Sequence, residues 1–269
     1  MNRFTALALS VPCVLGVAVT DPAQSQTPQP SEYIYVFTVT AKPGAVPAYE
    51  NFIKKVAAGA EKIGAAQHWM TWMATIGGPS RTFNIVLPFQ KWSEVDGWTQ
   101  VPQILVKAYG TAEGKRIMAA GSAASESSET SVLRLLPGLS SRPESFNARA
   151  GYLHLFVTEV EPAMMPAWEG FLGKLKAAQE KSPQFPSAIR RVAVLGSSNT
   201  YATAVAFSKF AERDSWPTNM DLMRTAYGQA QADSLDGVRL RSTRNARQMV
   251  LMYRPELSRL GAAPAAATR

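Results

Sequence analysis

The chain repeats itself, and that constrains its fold more than any other feature. Tyr33-Ile-Tyr-Val-Phe37 realigns with Tyr152-Leu-His-Leu-Phe156 at an offset of 119, which also pairs Pro43 with Pro162, Pro47-Ala48 with Pro166-Ala167, and Phe52 with Phe171. After a one-residue slip the offset becomes 118. Phe89, Lys91, Glu94, Asp96 and Trp98 then meet Phe207, Lys209, Glu212, Asp214 and Trp216. Ala108-Tyr109-Gly110 recurs as Ala226-Tyr227-Gly228, and Pro137-Gly-Leu139-Ser140 as Pro255-Glu-Leu257-Ser258. Register kept over a hundred residues marks a duplicated unit.

Each copy predicts the same elements. An aromatic and β-branched strand opens it (33–40 and 152–160). A proline-led helix follows, with Tyr49, Phe52, Ile53 and Val56, or Trp168, Phe171, Leu172 and Leu175, at the i, i+3, i+4, i+7 spacing of one buried face. Two strands come next, near 68–77 and 81–89 and again near 187–196 and 200–208, joined by Gly77-Gly-Pro-Ser80 and Gly196-Ser-Ser-Asn199. An acidic turn leads to a second helix near Trp98 or Trp216, and a final strand lies near 130–136 or 247–254. The order β-α-β-β-α-β suits a four-stranded antiparallel sheet with its helices on one face. Such a sheet leaves the other face bare, and two copies in one chain can cover that face for each other. The expectation is an α+β fold of two tandem ferredoxin-like repeats, 32–140 and 151–258, forming a pseudo-dimeric α/β barrel. Because the pairing lies within the chain, a monomer is expected. Residues 138–150 read as a polar linker and 259–269 as a disordered tail.

The N-terminus belongs to neither repeat. Arg3 precedes an apolar run from Phe4 to Val19, and Ala23-Gln24-Ser25 offers small residues for cleavage before Gln26. This is the pattern of a secretory signal peptide over 1–25. Pro12 interrupts the run, which falls short of the ~20 apolar residues that span a bilayer. A periplasmic or secreted protein with no membrane span after cleavage is expected. Cys13 is the sole cysteine, so the mature protein would hold no disulfide, thiolate or cysteine-ligated metal. The net charge of +8 gathers most densely at Arg239, Arg241, Arg244 and Arg247, with no interleaved aromatics to stack bases. No nucleic-acid partner is expected, and the cluster reads as a solvated basic loop.

The repeat pattern, the proline-opened helix with Tyr49-Glu50 or Trp168-Glu169, and the stretches Phe89-Gln-Lys-Trp-Ser-Glu-Val-Asp96 and Phe207-Ser-Lys-Phe-Ala-Glu-Arg-Asp214 resemble the dimeric α/β-barrel superfamily. The resemblance covers both copies. It implies a range of activities: cofactor-free monooxygenases, haem-degrading enzymes, muconolactone isomerases and haem proteins related to chlorite dismutase. Fold does not choose among them.

Strand alternation nominates site residues. If Ile34, Val36 and Thr38 lie under the helices with Leu153, Leu155 and Val157, then Tyr33, Tyr35 and Phe37 line the interior with Tyr152, His154 and Phe156. His154 would then introduce an imidazole opposite Tyr35, suited to acid–base chemistry or ligation. A buried structural histidine is the competing reading. Trp72 aligns with Arg190 at the offset of 118, so an inward Trp72 implies an inward arginine able to bind an anion. Asn84, replaced by Ala202, is a further one-sided polar group. Neither His154 nor His68 has a partner at ligand spacing, so no metal is expected, and haem on one of them is a minor possibility. These residues favour an exported protein binding a small, partly apolar or anionic ligand in the barrel. The alternative is a cofactor-independent monooxygenase or isomerase acting on an aromatic substrate. A core closed by Trp72 and the tyrosines is a third, purely structural reading.

Overall fold

A computed structural model describes residues 30–197 and 199–260. The signal-peptide and cleavage readings, and the tail beyond 260, lie outside the described residues. In each copy a strand, helix, two strands, a 3-10 turn, two helices and a strand follow in order. These are β1 (Tyr33–Ala41), α1 (Val46–Lys62), β2 (Met70–Ile76), β3 (Thr82–Phe89), α2 (Val101–Tyr109), α3 (Thr111–Ala124) and β4 (Ser125–Leu135). The second copy gives β5 (Tyr152–Val160), α4 (Met165–Lys181), β6 (Ala188–Leu195), β7 (Thr200–Phe207), α5 (Asn219–Tyr227), α6 (Gln229–Ser242) and β8 (Thr243–Tyr253).

The eight strands close into one barrel in the order β1-β3-β2-β8-β5-β7-β6-β4, every neighbour antiparallel. The bare faces of the two sheets thus become a common interior, and the outer strands of each sheet pair across two seams, β2 with β8 and β4 with β6. Closure removes the strand edges on which open sheets aggregate. Four antiparallel steps separate β1 from β5, so the two run the same way and the pseudo-twofold lies along the barrel axis. "Upper" below means the end where β1 and β5 finish.

The recurring motifs have structural explanations. Glu94 and Glu212 accept the backbone N–H of Lys91 and Lys209, both at 3.0 Å, and so cap the acidic 3-10 turns. Gly110 and Gly228 stand at φ 83° and 82°, where L side chains are strained, and break the second helical segment of each copy into two helices. The tyrosine before each glycine donates its hydroxyl to the first long helix, Tyr109 to Lys55 O and Tyr227 to Lys174 O. The Pro-x-Leu-Ser loops cross between copies. Ser140 Oγ accepts the N–H of Arg190 on β6, and Ser258 Oγ accepts that of Thr71 on β2, both at 2.9 Å.

Three boundaries differ from expectation. The final strands begin near 125 and 243, several residues early, so the basic cluster spans the end of α6 and the start of β8. There Arg239 pairs with Asp236 and Arg244 faces Glu159 and Glu161. Residues 138–150 are anchored: Ser141 bridges to Ala188, and Arg142 donates to the carbonyls of Gln179, Ser182 and Phe185. Arg259 forms a bridge with Trp69 and reaches Glu61, so the tail does not begin at 259.

Candidate functional site: the barrel lumen

The barrel encloses a cavity of about 1150 Å³. Eight-stranded barrels are generally just wide enough to be filled by side chains or to hold one small ligand. Room remains here because much of the wall is small: Thr38, Ala74, Ser131, Ala193, Ala202 and Ala204 all point inward.

The wall carries the strand parity opposite to that expected. Ile34, Val36 and Thr38, with Leu153, Leu155 and Val157, line the lumen. Tyr35 lies outside and meets Trp98 edge-on at 5.9 Å between ring centres. Phe37 packs into the cluster beneath α1 with Tyr49 and Phe83. Large rings fill the gap between sheet and helices, where a wide separation must be closed, and the short aliphatic set is left for the interior.

His154 is displaced with them. It is buried on the helix side, its ring 4.0 Å from that of Phe156. Burial, with the Arg213 charge adding to it, pulls its pKa down to about 4 against a smaller opposing effect from Gln248. The imidazole is therefore neutral near pH 7, and the structural reading of His154 holds in place of the interior one.

Arg190 is also outside. It is 1% exposed and donates to Leu139 O and to Gln179 Oε1 on α4, the latter at 2.7 Å. The inward arginine is its neighbour. β2 and β3 align Trp72 with Asn84, while β6 and β7 align Arg191 with Ala202. The true counterpart of Trp72 is thus Arg191, at an offset of 119. The missing residue falls in the turn after the second strand, not before that strand. Arg191 was missed for this reason alone; the counts between the hairpin turns and the strands could have shown it.

Trp72 and Asn84 do face the lumen. Trp72, 2% exposed, lies 5.0 Å from the ring of Tyr253 and packs with Leu251 and Leu153. Asn84, 8% exposed, accepts the Thr38 hydroxyl at Oδ1 over 3.0 Å, which turns its Nδ2 away. That Nδ2 has no partner among the described residues, and neither does the buried hydroxyl of Tyr253 beside Trp72. The second copy puts Val157 and Ala202 where Thr38 and Asn84 stand. One wall is therefore polar and the opposite wall aliphatic.

The two ends differ as well. At the upper end Ser127, Glu129, Glu159, Asn245 and Arg247 line the opening. At the lower end the lumen is bounded by Pro30 and Ser31, by Phe146 to Arg149, and by His68, Trp69 and Leu260.

No protein-family model and no curated protein matches the sequence. Solved structures do match its fold. A protein from Fusobacterium nucleatum subsp. nucleatum proposed to be a monooxygenase superposes with a TM-score of 0.51 at 9% identity, covering 83% of this chain and 93% of its own. An anthrone oxidase-like protein gives 0.51 at 12%, covering 84% and 94%. Chlorite dismutase from Candidatus Nitrospira defluvii, in complex with imidazole, gives 0.46 at 10%, covering 84% and 92%. With its closed eight-stranded barrel, the chain has the dimeric α/β-barrel fold, both halves being supplied by one polypeptide.

The two histidines, the candidate haem ligands, stand in different surroundings. His154 packs against Phe156 and is not among the residues lining the lumen. His68 stands at the lower rim with Arg259 3.3 Å from its Nδ1. Arginine can only donate, so in this contact Nδ1 is the acceptor and the neutral ring carries its proton on Nε2. No cluster of metal-binding side chains occurs among the described residues, and no described helix is long and apolar enough to cross a membrane.

Proposed function

We propose that this protein is an exported binding barrel that encloses one small amphiphilic molecule in its lumen. The observation that carries this reading is the cavity of about 1150 Å³, whose mostly apolar wall carries a few polar groups, Thr38 and Asn84 among them. The cavity is somewhat larger than the usual small-molecule site, and it shares with such sites a mostly apolar wall with a few placed polar groups. The ligand's apolar body would lie against Trp72, Leu153 and Leu251, with Thr38 and Asn84 giving one wall its polar character. Export rests on the signal-like run of residues 4–19 and the small residues before Gln26. Native mass spectrometry of the protein purified from its own cells tests the whole reading. The expected result is a single chain carrying a reproducible extra mass that Asn84→Leu reduces. A bare chain under all purifications, or an obligate dimer, would overturn it.

A second reading is an enzyme working on an aromatic substrate without a cofactor, of the monooxygenase or isomerase kind. It draws on the fold shared with the Fusobacterium protein and the anthrone oxidase-like protein. It also draws on the polar Thr38–Asn84 pair, which the second copy replaces with Val157 and Ala202, so that one wall of the lumen differs chemically from the other. Dioxygen uptake on adding an anthrone would favour catalysis over carriage.

A further inference from the structure

We propose that Arg191 is the counter-ion site of the lumen, so that the ligand is an amphiphile with an oxyanion head and an apolar body. This rests on the lumen being a ligand site. Arg191 lines the cavity on the seam between β4 and β6, directly opposite Leu135 in register, and is 7% exposed. Its two hydrogen bonds go to neutral acceptors: NH1 donates to Glu32 O at 3.2 Å and NH2 to Ser31 O at 2.8 Å. No carboxylate lies within ion-pair distance among the described residues. The Glu32 charge acts on it only from farther away, and burial lowers its pKa to about 10, leaving it charged at neutral pH.

A buried charge is ordinarily paired, since taking it out of water without a counter-ion is costly. Backbone carbonyls orient a guanidinium and do not cancel its charge. The other cations on the lumen wall, Arg149 and Arg247, are exposed and solvated, so the need for an anion is particular to Arg191. The surroundings define the rest of the ligand. Ile189, Ala193 and Leu133 neighbour Arg191 on the inner face of the wall, and Trp72, its counterpart on the other seam, offers an aromatic surface. A carboxylate or phosphate head fits the planar donor fork, with the apolar body running from it across the lumen. The carbonyls of Ser31 and Glu32 belong to the segment closing the lower end, so the ligand head would share Arg191 with that closure.

The test uses N-phenyl-1-naphthylamine, a neutral fluorescent probe, as the reporter of the lumen. Dodecanoate, dodecyl phosphate and 1-dodecanol compete for it, having the same tail with different heads. Displacement by either anion at a concentration at least tenfold below that of the alcohol is expected, and which anion leads separates carboxylate from phosphate. Arg191→Met should abolish the preference, while Arg191→Lys should keep part of it. Arg149→Gln and Arg247→Gln should leave it intact. Equal competition by acid and alcohol in the unaltered protein would overturn the proposal without any variant, as would a preference that survives Arg191→Met. If the probe itself does not enter, the lumen reading falls, and this inference falls with it.

Discussion

Thr38 and Asn84 can be replaced by the residues their counterparts carry, Val and Ala, which grafts the aliphatic wall of the second copy onto the first. In the ligand-free protein the buried Nδ2 of Asn84 has no partner, and an unmade hydrogen bond of that kind costs about 1–3 kcal/mol. The Thr38–Asn84 bond, 3.0 Å long, returns about 1 kcal/mol. Removing both should leave the double variant as stable as the parent or up to about 2 kcal/mol more stable. For a chain of this size that corresponds to a rise of up to about 6 °C in Tm. Thr38→Val alone should do the reverse and lose about 1–2 kcal/mol, because Oδ1 then joins Nδ2 without a partner. The assay is thermal and denaturant unfolding of protein stripped of any bound molecule, since a ligand would stabilise the parent selectively. A double variant more than about 1 kcal/mol less stable than the parent would refute the reasoning, because the amide would then be satisfied within the fold.

Two further outcomes are expected. Gly77 and Gly196 occupy equivalent turns at φ 78° and 98°, but a Cβ on Gly77 would collide with the backbone carbonyl oxygen of Gln248, while one on Gly196 meets Ser131 Cβ at 3.3 Å. Gly77→Ala should therefore cost more than Gly196→Ala by roughly 2 kcal/mol or more in urea unfolding. His154, held neutral with its pKa down to about 4 against 6.5, binds its proton more weakly in the folded than in the unfolded chain. Its contribution is thus full above pH 6.5 and is lost as pH falls toward 4, up to about 3 kcal/mol. His154→Phe should flatten the stability profile across that window, and a profile unchanged by the substitution would show the imidazole to be solvated.

The duplication, the element order and the barrel were legible because motifs such as Ala-Tyr-Gly and the glutamate-capped turn recur in register, and each does a local structural job. Facing was not legible. Both sides of β1 are apolar, aromatic on one and aliphatic on the other, so the alternation shows two buried faces without saying which is which. Expecting rings inside sent Tyr35 and His154 the wrong way, because ring size is needed between sheet and helix. Trp72 and Asn84 were recognisable as differences between the copies. Arg191 was hidden by one residue, because the turn Gly77–Arg81 is one longer than its counterpart and the strands themselves carry no marker of the gap.

The exchange of the Pro-x-Leu-Ser loops has a consequence for how the two copies can change. Each hydroxyl closes a strand of the opposite half, Ser140 on β6 and Ser258 on β2, so neither half is a finished object alone. Two fragments made by cutting the connection near 143–150 would each present an open sheet and an unclaimed serine, and would complete one another rather than themselves. A homodimer of first halves would set two polar walls face to face and one of second halves two aliphatic walls. Only the mixed pair sets Trp72 and Asn84 against Arg191 around one space, an arrangement that no symmetric ancestor of this barrel could have made.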